Sequence, residues 1–228
     1  MFEEFVKKLS HEIKRELPGF SAQKIMAPLG RKPPLEYLKE NAVPRKSSVL
    51  ILLYPQLSPF SIKTVLIVRP ENEGGNHAGQ ISFPGGSADE GDKDLRETAL
   101  REAEEEIGIS RKSVSVLGEL SPLYIPISNF MVHPFIGITG IPPDFRIHPA
   151  EVQELLEVEL DYLFSEKCKG TAEQFIKIRN VKMEVPCYNV NGKIIWGATA
   201  MIISELAEVI RRSNNNRKPP VFPPLGPG

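Results

Sequence analysis

Four glutamates fall within five positions of the stretch LRETALREAEEEIGI, residues 95–109: Glu102, Glu104, Glu105 and Glu106. Carboxylates at helical spacing repel one another mildly. Such crowding marks either a solvated charged face or a place where something cationic sits. At about 100° per residue, Glu102, Glu105 and Glu106 share one patch, with Leu100, Ala103 and Ile107 forming an apolar stripe opposite and Glu104 off to the side. Hard cations such as Mg2+ take carboxylate oxygens together with phosphates and water, and paired ions can clamp an in-line attack on phosphorus. Two neighbours favour the cation over the solvated face. Arg101 can pair with an acid of the preceding loop, Asp92 or Glu90, pinning loop to helix. Upstream, Phe83-Pro84-Gly85-Gly86 supplies two glycines, where a backbone can approach a ligand closely and lend it a carbonyl oxygen.

The elements that must position these groups follow from periodicity. Residues 2–16 have apolar side chains at helical spacing (Phe2, Phe5, Val6, Leu9, Ile13), and Pro18-Gly19 ends that helix. SSVLILLY (47–54) and IKTVLIVR (62–69) predict a strand hairpin, and QISF (80–83) a short strand that Pro84-Gly85-Gly86 breaks. An acidic loop over 87–94 leads into a helix over 94–108, with Gly108 as its cap. Strand-like stretches then dominate until a last helix over 199–212. Strands on both sides of one helix, without regular alternation, predict layered α/β packing around a mixed sheet and argue against a doubly wound parallel one. The expected organisation is an N-terminal helical extension (1–30), a main domain (31–212) and a disordered tail (213–228) rich in proline and asparagine.

Composition narrows the function classes. The 228 residues are 41% hydrophobic and 25% charged, with a formal net charge of −1, so no general affinity for nucleic acid or anionic membrane is expected. Cys168 and Cys187 have neither zinc-site nor disulfide-framework spacing. The charged N-terminus lacks a signal-peptide core, no apolar run reaches membrane-spanning length, and the C-terminal GPG is no lipidation signal. A cytoplasmic protein is the expectation.

The spacing GG-x5-D-x8-REAEEEIGI resembles the Nudix box, G-x5-E-x7-R-E-U-x-E-E-x-G-U with U apolar. Gly86 opens it, and Arg101, Glu102, Ala103, Glu105, Glu106, Gly108 and Ile109 fill its second half. Asp92 replaces the usual glutamate, with one extra residue before Arg101. Both departures match the branch similar to coenzyme A pyrophosphatases. That branch reads H-x-G-Q-[VI]-x-F-P-G-G-x-x-D-x-x-D and then TALREA-x-EEIG; here the residues are His77 to Gly86, Asp89, Asp92 and TALREAEEEIG. EVQELLEVELDYL (151–163) and IIWGATAMI (195–203) extend the similarity over roughly residues 47–210. Gly74-Gly75 stands where the branch has Leu-Arg, which removes a phosphate partner; Arg69, in LIVRP, remains as a basic residue.

The resemblance implies an α/β/α sandwich and a Mg2+- or Mn2+-dependent hydrolase. Glu102, Glu105 and Glu106 would hold the metal with the Gly85 carbonyl, supported by Arg101. Glu105 is one candidate general base, and Glu151 or Glu154 another. His77, Gln80, Arg69, Gly85 and Gly86 would face a small nucleoside diphosphate derivative. Coenzyme A or acyl-coenzyme A is the implied substrate, with ADP-ribose, a dinucleotide or a nucleoside triphosphate as alternatives. A non-catalytic nucleotide-binding domain is a further alternative. Trp196 could stack on an adenine, though a packed aromatic is the commoner use. His133, in a strand-like stretch, reads as structural; His11 and His148 fit no pattern. By analogy with the family, the helix at 2–16 is a candidate homodimer element.

Overall fold

The computed structural model describes residues 1–38, 43–70, 79–176 and 180–214. His77, Gly74, Gly75 and the expected tail from residue 215 onward lie outside the described residues. The chain opens with α1 (Phe2–Glu12), α2 (Phe20–Gln23), a 3-10 turn at Lys24–Met26, and α3 (Pro34–Leu38). Strands β1 (Arg45–Leu57), β2 (Phe60–Val68), β3 (Ile81–Ser82) and β4 (Gly85–Ser87) precede helix α4 (Leu95–Ile107). Then come β5 (Ser115–Glu119), β6 (Leu123–Ile125), β7 (Phe130–Ile138), β8 (Glu154–Glu159) and the one-turn α5 (Leu160–Leu163). Finally β9 (Lys169–Ile176), β10 (Val181–Val190) and β11 (Lys193–Trp196) lead into α6 (Gly197–Ser213).

The main sheet runs β3-β2-β1-β7-β5, with β4 joined to β1, β6 to β7 and β8 to β2. It is mixed: β1 and β7 are parallel, and the other pairs antiparallel. A smaller antiparallel sheet, β11-β10-β9, stands apart from it. Strand alternation puts successive residues of β1 on opposite faces. Leu50, Leu52 and Tyr54 pack with Ala99, Ala103 and Ile107 of α4. Ile51 and Leu53 join a second cluster with Leu9, Met26, Met201 and Leu206, from the N-terminal helices and α6. The result is the expected α/β/α layering, with α4 on one side of the sheet and α1, α2 and α6 on the other.

Several boundaries differ from the sequence reading. Pro84-Gly85-Gly86 does not end pairing: after the break at Phe83-Pro84 the chain re-enters the sheet as β4, with Gly85 opposite Val49 and Gly86 opposite Ser48. Neighbouring backbone, rather than residue preference, makes this a strand. The first helix stops at Glu12, short of residue 16. The N-terminal segment packs against the last helix. Glu205 of α6 is fully buried and accepts hydrogen bonds from Gly19 N (3.1 Å), Gln23 Nε2 (2.8 Å) and Ser121 N (3.3 Å). That carboxylate therefore binds the segment after α1 to the last helix.

Candidate active site

Helix α4 carries the acidic cluster, and both its ends are locally specified. Asp94 caps the start, its Oδ1 accepting from Glu97 N at 2.8 Å, an arrangement worth about 1 kcal/mol. Gly108 ends it at φ 71°, where a Cβ would lie 2.7 Å from Arg146 O. Only glycine suits a left-handed position that crowded.

The three carboxylates do not gather on one open patch. Glu106 is 1% exposed, whereas the Glu105 side chain is 49% exposed. The buried arc of the helix is broader than Leu100, Ala103 and Ile107: Thr98 and Ala99 belong to it, Leu100 is only half-buried, and Glu106 falls inside it. Polar contacts make that burial tolerable. Gly85 N donates to Glu106 Oε2 (2.8 Å), and Arg69 Nη2 donates to Glu106 Oε1 (3.0 Å) and to Gly85 O (2.8 Å). Burial still pushes the metal-free Glu106 carboxyl up to about 8; Arg69 and the Gly85 N–H oppose the rise, and the like charges of Glu102 and Glu151 add to it.

Arg101 organises the other two glutamates. Its Nε and Nη2 reach the two oxygens of Asp92 at 2.9 and 3.1 Å, and Nη2 also donates to Ser87 O at 3.1 Å. Nη1 contacts Glu102 at 2.8 Å and Glu105 at 3.0 Å. Of the two acids that sequence offered Arg101, Asp92 is thus the one it takes, in a bidentate pair. This pair holds the Asp92 carboxyl well below the usual carboxylate range. Burial raises Glu102, with Arg101 pulling the other way.

The two glycines explain how helix and sheet meet. A Cβ on Gly86 would sit 2.4 Å from Glu102 Oε2, so Gly86 makes room for that carboxylate. A Cβ on Gly85 would sit 2.2 Å from Ser48 O, and its φ of 154° disfavours other residues. Gly85 therefore lets β4 lie against β1, with its N–H and carbonyl turned to Glu106 and Arg69.

The remaining expected residues divide. Gln80 lies beside Arg69, its carbonyl accepting from Arg69 N at 3.0 Å. Glu151 comes near Glu106 because the loop before β8 docks on the end of α4: Arg146 N bonds to Ile107 O (2.9 Å) and His148 N to Glu106 O (3.0 Å). His148 Nδ1 stands 3.7 Å from Glu151 Oε1, a placement that no spacing in the sequence announced. Glu154 is instead held by Lys193 of β11 at 2.5 Å. Glu104 pairs with Arg111 at 2.6 Å, away from the cluster. Trp196 is half-buried at the start of α6, where Thr199 Oγ1 donates to Ile81 O at 2.9 Å. His133 is paired with Glu119 at 2.6 Å, and both cysteines are buried and free.

Among the described residues no three acidic, histidine or cysteine side chains already converge as a metal cage. The donor chemistry nevertheless fits a hard divalent cation. Glu102, Glu105 and Glu106 lie within about one turn and the Gly85 carbonyl adjoins Glu106, an all-oxygen donor set of the kind such ions take. No helix among the described residues is long and apolar enough to cross a membrane.

The chain is similar to known proteins. The NUDIX domain family model matches residues 44–172, more than half of the chain. The uncharacterized Nudix hydrolase NudL of Photorhabdus laumondii is 37% identical over 183 residues, covering 78% of this chain and 91% of that one. NudL of Pectobacterium atrosepticum is 36% identical over 163 residues, covering 72% and 81%. The crystal structure of a MutT/nudix family protein from Enterococcus faecalis covers 90% of this chain and 73% of its own, with a TM-score of 0.50 and 16% identity, a likeness of fold. Domain match and relatives together establish that the chain belongs to the Nudix hydrolase family, enzymes that generally depend on divalent metal ions.

Proposed function

We propose that this Nudix hydrolase cleaves the diphosphate of coenzyme A or an acyl-coenzyme A, giving 3′,5′-ADP and the (acyl)phosphopantetheine. The supporting observation is the run from Gly79 to Gly86 leading to Asp89 and Asp92, which resembles the coenzyme A branch and whose Gly85-Gly86 seats Glu106 and Glu102. Glu102, Glu105, Glu106 and the Gly85 carbonyl would hold Mg2+ or Mn2+. Bound there, the metal supplies charge neutralisation of the diphosphate and a lowered pKa for the attacking water.

The chain's own groups do the positioning on which phosphoryl chemistry rests. Arg101, fixed by Asp92, keeps Glu102 and Glu105 on the same side of α4. Arg69, Gln80 and His77 of the same motif would meet the substrate. Glu151 takes the water's proton: it is half-exposed and borne on a loop docked to α4, whereas Glu154 is engaged by Lys193. Glu105 is the second candidate, with a geometry already committed to Arg101.

Chromatography of products after incubation with coenzyme A and Mg2+ or Mn2+ tests the reading, with Glu106→Gln as control. Release of 3′,5′-ADP by the wild type alone is expected. Turnover confined to ADP-ribose or dinucleotides would remove the coenzyme A assignment, in keeping with Gly74-Gly75 in place of Leu-Arg.

A further inference from the structure

Arg69 stands where a metal ion would have to work. A single nitrogen, Nη2, donates both to Gly85 O (2.8 Å) and to Glu106 Oε1 (3.0 Å). The first oxygen comes from β4 and the second from α4, so the guanidinium joins the two elements that together make the site. A divalent ion taking these same oxygens needs them at about 2.0–2.6 Å. It would compete with Nη2 for their lone pairs and repel its charge. Arg69 also gives the buried Glu106 a countercharge, which an almost wholly enclosed carboxylate requires.

The two arginines of the site are held differently. Arg101 has both oxygens of Asp92, an acid outside the metal-binding set, besides its contacts with Glu102 and Glu105. The carboxylate bonded to Arg69 belongs to the metal-binding set itself. The Arg69 backbone follows the last residue of β2 and is fixed to Gln80 O at 3.0 Å, while its side chain is 19% exposed.

We infer that Arg69 is an internal counter-ion which a divalent metal displaces from Gly85 O and Glu106, and that the displaced guanidinium then meets the substrate's diphosphate. The inference rests on the proposed role of Gly85 and Glu106 as metal ligands. It makes metal binding a condition for presenting a substrate-binding arginine. A guanidinium's planar fork of donors suits a diphosphate better than an ammonium would.

The test uses the whole chain and needs no turnover. Mn2+ titrations by calorimetry compare metal-free wild type, Arg69→Met and Glu106→Gln. Arg69→Met is expected to bind Mn2+ at least tenfold more tightly than wild type, because the competitor is gone. Unchanged or weaker binding would mean that Arg69 only braces the ligands, and would overturn the inference. Arginine side-chain NMR, assigned with Arg69→Lys, gives a direct second view: the Arg69 signal should move and lose its protection from solvent exchange at saturating Mg2+. An unmoved signal refutes displacement whatever the affinities are. With Mg2+ saturating, ADP should bind Arg69→Met at least tenfold more weakly than wild type, and equal binding removes the substrate half of the inference. If Glu106→Gln binds Mn2+ as well as wild type, the reading of the site itself fails, and the inference with it.

Discussion

Gly85 and Gly86 are neighbours in sequence, yet alanine should fail at each for a different reason. At Gly85 the added Cβ would lie 2.2 Å from Ser48 O and 2.6 Å from Val49 Cα, both rigid backbone of the central strand. Relieving the clash moves β4 by roughly 1 Å, at about 1–3 kcal/mol for overpacking, with about 1–3 kcal/mol more for the backbone angle. A loss of roughly 2–6 kcal/mol is a large share of a typical total of about 5–15 kcal/mol. It should lower the melting temperature by roughly 5–20 °C. At Gly86 the Cβ meets only the tip of a flexible side chain, Glu102 Oε2 at 2.4 Å. That carboxylate can swing aside, so Gly86→Ala should melt within a few degrees of wild type, a change of about 1 kcal/mol or less. Its activity should suffer instead: on the proposed role of Glu102 as a metal ligand, a displacement of about 1 Å costs on the order of 100-fold in turnover. Thermal unfolding and metal-dependent product release, measured on both variants, separate the two effects. Gly86→Ala melting as low as Gly85→Ala, or keeping wild-type turnover, would refute the assignment of Gly86 as the seat of Glu102.

Glu151→Gln should lower kcat by about 100- to 10,000-fold, the usual range for a general base, while Glu154→Gln, whose partner is Lys193, changes it by less than about threefold; steady-state kinetics on the pair decide, and the reverse order would shift the role to Glu154. The Asp92 carboxyl is held below its ordinary range by Arg101, so its contribution is present above the unfolded value near pH 4 and disappears as pH falls through the lower folded value. Asp92→Asn should therefore be less stable than wild type by about 2 kcal/mol at neutral pH, with denaturant melts showing the gap closing below about pH 4; a constant gap would contradict it. Glu205→Ala removes the acceptor of three hydrogen bonds and should cost about 3 kcal/mol, with amide exchange accelerated first at residues 19–23, whereas uniform acceleration would mean that Glu205 does not hold that segment.

Helix α4 was readable in the sequence because its signals are local. Gly108 and the spacing of Leu100, Ala103 and Ile107 each act within a turn or two, although Leu100 is only half-buried. The same holds for the β1–β2 hairpin, whose two apolar runs pair as expected. What escaped depends on partners distant in the chain. Gly85-Gly86 has no strand preference of its own and pairs because Ser48 and Val49 lie alongside. Glu106 counted as solvent-facing because its compensating groups, Gly85 N and Arg69, are invisible to helical periodicity. Helices α2, α3 and α5 are too short to show a period. In the last helix Glu205 interrupts an apolar face that otherwise reads correctly, and only its three donors explain its burial.

The Glu205 anchor also has a consequence for synthesis on the ribosome. Gly19 and its acceptor are separated by 186 residues, which a ribosome adding about 5–20 residues per second covers in roughly 10–40 seconds. Throughout that interval Leu9, Ile13 and Met26 lack the α6 residues that bury them in the finished fold. Helix α1 is thus made long before the partner that covers it, and its apolar face needs chaperone cover in the meantime. Nascent chains stalled before α6 should be cleaved by protease within residues 2–26, and chains long enough to expose α6 should resist.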